Sequence, residues 1–192
     1  MTLSTLDPKT ALVVIDLQQR IIGAPVVPTP AADVVAHTAE LAAAFREHSL
    51  PVVLVQVTAG PGEATPGRIA ARRPAGSAPR PAGGEDLVDD IRGDGDIVVT
   101  KRNWGAFYGT DLDLHLRRRG VTQIVLTGIA TSIGVETTAR AAHEHGYHVT
   151  LATDAMTDID ADAHHNSIER IFPKLGELGT TAEILELLAK TR

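Results

Sequence analysis

The chain has 192 residues, 43% of them apolar, enough to bury one compact core. Eighteen Lys and Arg against 24 Asp and Glu leave a net charge of −6, without the basic footprint of a nucleic-acid binder, and zero cysteines exclude disulfides, zinc–thiolate sites and thiol nucleophiles. The opening MTLSTLDPKT lacks the basic start and apolar run of a secretory signal, and no apolar stretch reaches membrane-spanning length, so a soluble cytoplasmic protein is expected.

Strand-like apolar runs alternate with helix-length amphipathic segments. Ala11–Asp16 (ALVVID) reads as a first strand, and Val34, Leu41, Ala42 and Phe45 then fall at helical spacing from Ala31 to about His48. Pro51–Val57 (PVVLVQV) is a second strand. It is followed by 59–84, rich in Gly and Pro and carrying Arg68, Arg72, Arg73 and Arg80; a loop this long is expected to be functional or mobile. After a third strand, Asp96–Thr100, Thr110 and Asp113 form a capping-box pattern, Leu112 and Leu116 share a helix face, and Gly120 supplies a C-terminal cap. Gln123–Thr127 is a fourth strand, with Val135, Ala139 and Ala142 marking a helix that ends at Gly146. His148–Ala152 is a fifth, and Thr180 with Glu183 caps a last helix, Ala182–Lys190.

These runs are nearly continuous in hydrophobicity, as strands covered on both faces are. Strand–helix alternation implies right-handed crossovers. The expected fold is therefore a three-layer α/β/α sandwich with a Rossmann-like, mostly parallel sheet of five to six strands, as a single domain over 1–192.

In such sheets, ligands collect outside the carboxyl ends of the strands. Asp16 closes the first strand, Lys101 the third, and the turn 128–134 (GIATSIG) joins the fourth to a helix. Together they offer a carboxylate, an ammonium and a helix N-terminus to a small anion. Each also has a plain structural reading: a strand-end cap, a lysine reaching water, a tight connection. No G-x-G-x-x-G follows the first strand, and the 128–134 turn lacks the Lys and Ser/Thr of a P-loop, which argues against a dinucleotide site. Asp158, Asp160, Asp162 and Glu169 sit at calcium-loop positions, but Ala163 stands where the loop needs Gly. An acidic first helical turn carrying His164 and His165 is the better reading.

With these residues in view, the chain resembles the isochorismatase-like hydrolases, a superfamily that includes nicotinamidases, N-carbamoylsarcosine amidohydrolases and true isochorismatases. The likeness runs through ALVVIDLQQ, KRNWGAFYGTDLDLHLRRRG, QIVLTGIATSIGVETTARAAHEHGYHVTLATDAMTD and IFPKLGELGTTAEIL, in order. Most of that superfamily uses an Asp, a Lys and a Cys. Asp16 and Lys101 match the first two, and Gly134 stands at the Cys position. The same replacement characterises isochorismatases of siderophore and phenazine pathways, which cleave a vinyl ether with acid and water and no nucleophilic side chain.

The resemblance thus implies Asp16 as a proton donor, Lys101 as its orienting partner or a carboxylate binder, and backbone N–H groups around Gly134 as stabilisers of negative charge. It makes Gln56, Trp104, Phe107, Ile129, Ala130 and Ile133 candidate substrate-pocket residues, with Tyr108 near the mouth and a cis Ile129–Ala130 bond. Arg68, Arg72 or Arg73 would act as a lid. The Asp-x-His of zinc-binding nicotinamidases is missing from 57–62, so neither a metal nor another cofactor is expected. A small-molecule substrate and a homodimer or larger homo-oligomer are implied; no nucleic acid or membrane partner is. Acid catalysis needs burial to raise the Asp16 pKa against the pull of Lys101. Two alternatives remain open. One is a Cys-less amide or ester hydrolase, with Asp16 as general base or with Thr131 or Ser132 replacing the thiol. The other is a silent paralogue that binds a metabolite or protein.

Overall fold

The computed structural model describes residues 3–58, 84 and 86–191. The arginines at 68, 72, 73 and 80, and the lid read from three of them, lie outside the described residues.

Six strands form one parallel sheet: β1 (Thr10–Ile15), β2 (Val52–Val57), β3 (Ile97–Lys101), β4 (Gln123–Ile129), β5 (His148–Thr157) and β6 (Glu177–Gly179), in the order β3-β2-β1-β4-β5-β6. The order reverses between β1 and β4, and that switch point opens a crevice at the carboxyl edge. Alternation along β1 shows why both faces had to be apolar. Ala11, Val13 and Ile15 pack with Leu112, Leu116, Ala139 and Ala142 of α3 (Leu112–Arg118) and α4 (Glu136–Glu144). Leu12 and Val14 pack on the other face with Val34, Leu41 and Phe45 of α2 (Ala31–Glu47) and Ile184 and Leu188 of α6 (Thr181–Thr191).

The capping box before α6 is present: the Thr180 N–H donates to Glu183 Oε2 at 2.7 Å, and the Glu183 N–H to Thr180 Oγ1 at 3.3 Å. The one expected before α3 is not. Thr110 Oγ1 accepts from the Leu112 N–H, while Asp113 takes the Tyr147 hydroxyl at 2.7 Å and Arg117 at 3.2 Å. Three-residue β6 has too little apolar sequence to announce itself, and β5 runs five residues beyond Ala152 after a register shift opposite β4 between Leu126 and Gly128. No helix among the described residues is long and apolar enough to cross a membrane.

Candidate active site

Asp16 leaves β1 in a left-handed conformation, φ 55°, that non-glycine residues seldom adopt. Hydrogen bonding holds it there: its N–H donates to Val55 O at 2.9 Å, and its carbonyl accepts from the Gln18 N–H at 2.8 Å. Gln18, fully buried, clamps the end of β2 by accepting from the Val57 N–H at 2.8 Å and donating to Val57 O at 3.2 Å. Its partner comes from two strands away. Lys101 ends β3, and its buried stem spans the width of β2 to bring Nζ within 2.8 Å of Asp16 Oδ2. The same ammonium donates to the carbonyls of Asn103 at 3.2 Å and Trp104 at 2.5 Å. Three acceptors use all three of its protons.

Asp16 is 6% exposed, and its second oxygen, Oδ1, is buried with no hydrogen-bond partner. Burial raises its pKa from 3.8 to about 6, outweighing the charge and hydrogen bond of Lys101 and the charge of Arg20, all of which act downward. The balance that composition left open thus falls to desolvation.

The turn after β4 closes the third side. Gly128, φ 122°, lies so close to β1 that a Cβ would stand 2.1 Å from Ile15 O, which no side chain tolerates. The Ile129–Ala130 bond is cis, as the family resemblance implied. A Cβ on Gly134 would lie 2.9 Å from Ile15 Cγ2, 3.4 Å from Asp16 Oδ2 and 3.5 Å from Lys101 Nζ. A side chain at this position would therefore stand against the ion pair.

Several donors in the turn are already engaged. The Ser132 N–H donates to Asp158 Oδ2 at 2.5 Å, and those of Ile133 and Val135 donate to Ala130 O at 3.2 and 3.1 Å. The expected supply of amides around Gly134 is reduced by these three. Thr131 is fully buried outside the cavity lining described below, its hydroxyl donating to Thr157 O at 3.0 Å and lying 2.9 Å from His164 Nδ1, an arrangement that holds the turn. Burial lowers the His164 pKa, and because the Thr131 proton goes to Thr157 O, the ring donates its Nδ1–H to Thr131 Oγ1. The acidic segment is no calcium loop. Asp158 is fully buried on the Ser132 and Ile159 amides, and Asp160 caps α5 (Ala161–Asn166) through the Ala163 N–H at 3.0 Å.

A cavity of about 420 Å³ opens beside the pair. Of the sequence candidates it gathers Asp16, Lys101, Gly134, Trp104, Ile129, Ala130 and Ile133. Two others fall elsewhere. Gln56 lies in β2 with its amide on Thr100 Oγ1 at 3.0 Å, outside the cavity lining. Phe107 is 8% exposed in the α3–α4 core, stacked on His145 at 5.0 Å and tilted against Tyr147 at 5.9 Å, because the chain after Trp104 turns back over that face of the sheet. The cavity adds residues that sequence reading passed over: Arg20, Arg102, Asn103 and Ile159. Arg20, four residues beyond Asp16, and Arg102, next to Lys101, were signalled only by adjacency. A larger hollow of about 630 Å³ lies at the opposite, amino edge of the sheet around Lys9, Arg119 and the Arg46–Asp96 ion pair.

The isochorismatase domain profile matches residues 10–183, nearly all of this fold and every element of the site. The chain belongs to the isochorismatase family. Across 93% of its length it is 45% identical to the isochorismatase family protein YecD of Escherichia coli O157:H7, of which 96% is covered. It is 28% identical, over 95% of this chain and 88% of the other, to the phenazine biosynthesis protein PhzD1 of Pseudomonas aeruginosa. An isochorismatase family structure from Burkholderia thailandensis superimposes with a TM-score of 0.84 at 45% identity, covering 96% of this chain and 98% of that one. The N-carbamoylsarcosine amidase of Thermoplasma acidophilum does so at 0.74 and 28%, covering 90% and 96%. The protein is thus a hydrolase of the isochorismatase type, in a family whose members include amidases.

Proposed function

We propose that this isochorismatase-family hydrolase cleaves a vinyl ether in a small carboxylate-bearing substrate, as in the conversion of isochorismate to pyruvate and a dihydroxybenzoate, without a covalent intermediate. The observation that carries the reading is Asp16 Oδ1. It is buried and unpartnered, on a carboxyl whose pKa lies at about 6, while Lys101 holds the other oxygen. Protonated there, Asp16 delivers its proton to the enol-ether methylene carbon. Water adds to the resulting oxocarbenium ion, and the hemiketal collapses to a ketone and an alcohol, returning a proton to the carboxylate. Lys101, with its three protons engaged, acts as a positioning residue. Gly134 leaves room for the reacting carbon beside the pair. Trp104, Ile129, Ala130 and Ile133 wall the substrate.

The test is pyruvate release from isochorismate, with Asp16→Ala as control. Asp16-dependent release that falls as pH rises above about 6 supports the reading; absence of release from the wild type sinks it.

A second reading has its own observation. A carboxyl with a pKa of about 6 is about nine-tenths ionised at pH 7, so Asp16 also suits a general base directing water onto an amide or ester. The structural likeness to an amidase supports it. Its activity would rise with pH through the same region, so the slope separates the two.

Exposed apolar side chains on and after the edge strand β3, namely Val98 at 49%, Trp104 at 62% and Tyr108 at 80%, support assembly as a homodimer or larger oligomer. Sedimentation velocity at micromolar concentration tests this, and a monomer refutes it.

A further inference from the structure

Several cavity residues belong to regular elements, among them Ile21 of α1 (Gln19–Ile22), Val57 of β2 and Ile129 of β4. Arg102, Asn103 and Trp104 do not: they open the stretch 102–111 between β3 and α3, which contains neither helix nor strand. Without a repeating hydrogen-bond ladder, the place of this wall depends on individual contacts. On one side the Lys101 ammonium, paired with Asp16, donates to the carbonyls of Asn103 and Trp104. On the other the segment lies against α4. The Ala106 N–H donates to Thr138 Oγ1 at 3.1 Å, and the same hydroxyl donates to Gly134 O at 2.7 Å. Gly105 approaches so closely that a Cβ there would stand 2.8 Å from Thr137 Cγ2. Thr138 and Ala106 are both fully buried, so a lost hydroxyl strands the Ala106 N–H.

We propose that Thr138 is a positioning residue of the active site: its hydroxyl pins the segment 102–106 to α4 and the Gly134 turn, and so fixes both the Trp104 wall and the carbonyls that aim the Lys101 ammonium at Asp16. The inference rests on the reading of this cavity as the hydrolytic site. A hydroxyl suits the task because it donates and accepts at once. Its acceptor, Gly134 O, belongs to the turn on one side of the cavity, and its donor, Ala106, follows the wall on the other. Both sides are thereby held in one frame. The chain of contacts runs from Thr138 to Ala106, from there along the backbone to Trp104 O, then to Lys101 Nζ and Asp16 Oδ2. Thr138 itself lies outside the cavity lining and meets no substrate. Its effect reaches the reaction through the position of the wall and of the ammonium, where a displacement of about 1 Å can cost about a hundredfold in rate.

Trp104 is the single tryptophan of the chain, so its fluorescence reports on this wall without a label. Time-resolved anisotropy of Trp104 is read beside kcat and KM for pyruvate release from isochorismate. Thr138→Val keeps the shape of the side chain and removes the hydroxyl. It should raise the amplitude of nanosecond depolarisation and lower kcat/KM by about tenfold to a hundredfold. Thr138→Ser should recover most of both. Thr150→Val removes another fully buried hydroxyl, which accepts from Gln123 Nε2 at 3.0 Å near the amino edge of the sheet. It should leave the anisotropy unchanged and kcat/KM within about twofold of wild type, because it shares no partner with the site. Gly105→Ala tests the same link without touching the hydroxyl, since the new Cβ drives the segment off Thr137. It should reproduce the Thr138→Val pattern, and adding Thr137→Ser, which deletes Cγ2, should reverse it. Anisotropy or turnover that is unchanged in Thr138→Val or in Gly105→Ala overturns the proposal. So does an equal loss in Thr150→Val, or no recovery in Thr138→Ser and in the double variant. Failure of the vinyl-ether reading looks different: the wild type releases no pyruvate, and the anisotropy series alone then decides whether Thr138 holds the wall.

Discussion

Asp16 holds its proton more tightly in the native protein than in the unfolded chain, and that difference is measurable as stability. With the native pKa at about 6 and the unfolded one near 3.8, the native state binds more protons between pH 4 and 6. The stability contributed by this group therefore falls as pH rises through that window, the reverse of an ordinary salt-bridged aspartate. A shift of about two units corresponds to roughly 3 kcal/mol at 1.36 kcal/mol per unit, of which about 2.5 kcal/mol develops between pH 4 and pH 7. Asp16→Asn keeps the size and a carbonyl acceptor for Lys101 but removes the titration. Urea denaturation of both proteins at pH 4, 5, 6 and 7 gives the difference in unfolding free energy at each pH, in which the other carboxylates cancel. On acidification from 7 to 4, wild type should gain about 2–3 kcal/mol relative to Asp16→Asn. A difference that stays constant within 0.5 kcal/mol refutes the reasoning. So does one of opposite sign, which would mean that Lys101 outweighs burial and that Asp16 is a permanent carboxylate.

Three further substitutions separate packing from chemistry. A Cβ at residue 134 meets Ile15 Cγ2 at 2.9 Å, and Ile15 is a fully buried β-branched residue with little freedom to move. Gly134→Ala should therefore cost about 1–3 kcal/mol and lower Tm by about 2–8 °C, and Gly134→Cys should add no amidase or ester hydrolase activity. Trp104, 62% exposed at the cavity, and Phe107, 8% exposed in the core, should respond oppositely. Trp104→Ala should raise KM with stability unchanged within about 0.5 kcal/mol, and Phe107→Ala should lose about 3–5 kcal/mol in urea denaturation. Thr131→Val should lose about 1–3 kcal/mol by stranding His164 and the Thr157 carbonyl, yet retain turnover in the pyruvate assay; its complete loss in a folded variant would restore Thr131 as a candidate nucleophile.

The strand cores were legible because a doubly covered parallel sheet writes its burial as unbroken apolar runs, and β1 to β4 begin within a residue or so of the patterned segments. Where the pattern is short it fails: β6 is only Glu177–Gly179, and its partner β5 continues past its apolar run. Asp16, Lys101 and Gly134 could be named from strand ends and resemblance. Their mutual geometry could not, since β2 lies between β1 and β3 and the ion pair depends on a lysine stem crossing it. Phe107 misled because an aromatic after a strand end can close a cavity or a core, and only the path of the chain after Trp104 decides. Arg20 and Arg102 were hidden for the opposite reason: charges beside strand ends read as solvated.

A nucleophile-bearing side chain at residue 134 would stand within 3.5 Å of both members of the Asp16–Lys101 pair, where it would exchange protons with them. With glycine there, the pair has no thiol to activate. What remains is a buried acid whose pKa is raised to about 6 because desolvation outweighs the neighbouring cations. That pKa is sensitive to any charge that enters the cavity. Under the proposed acid role of Asp16, the glycine at 134 and the Asp16–Lys101 pair belong to one chemistry that needs no nucleophilic side chain.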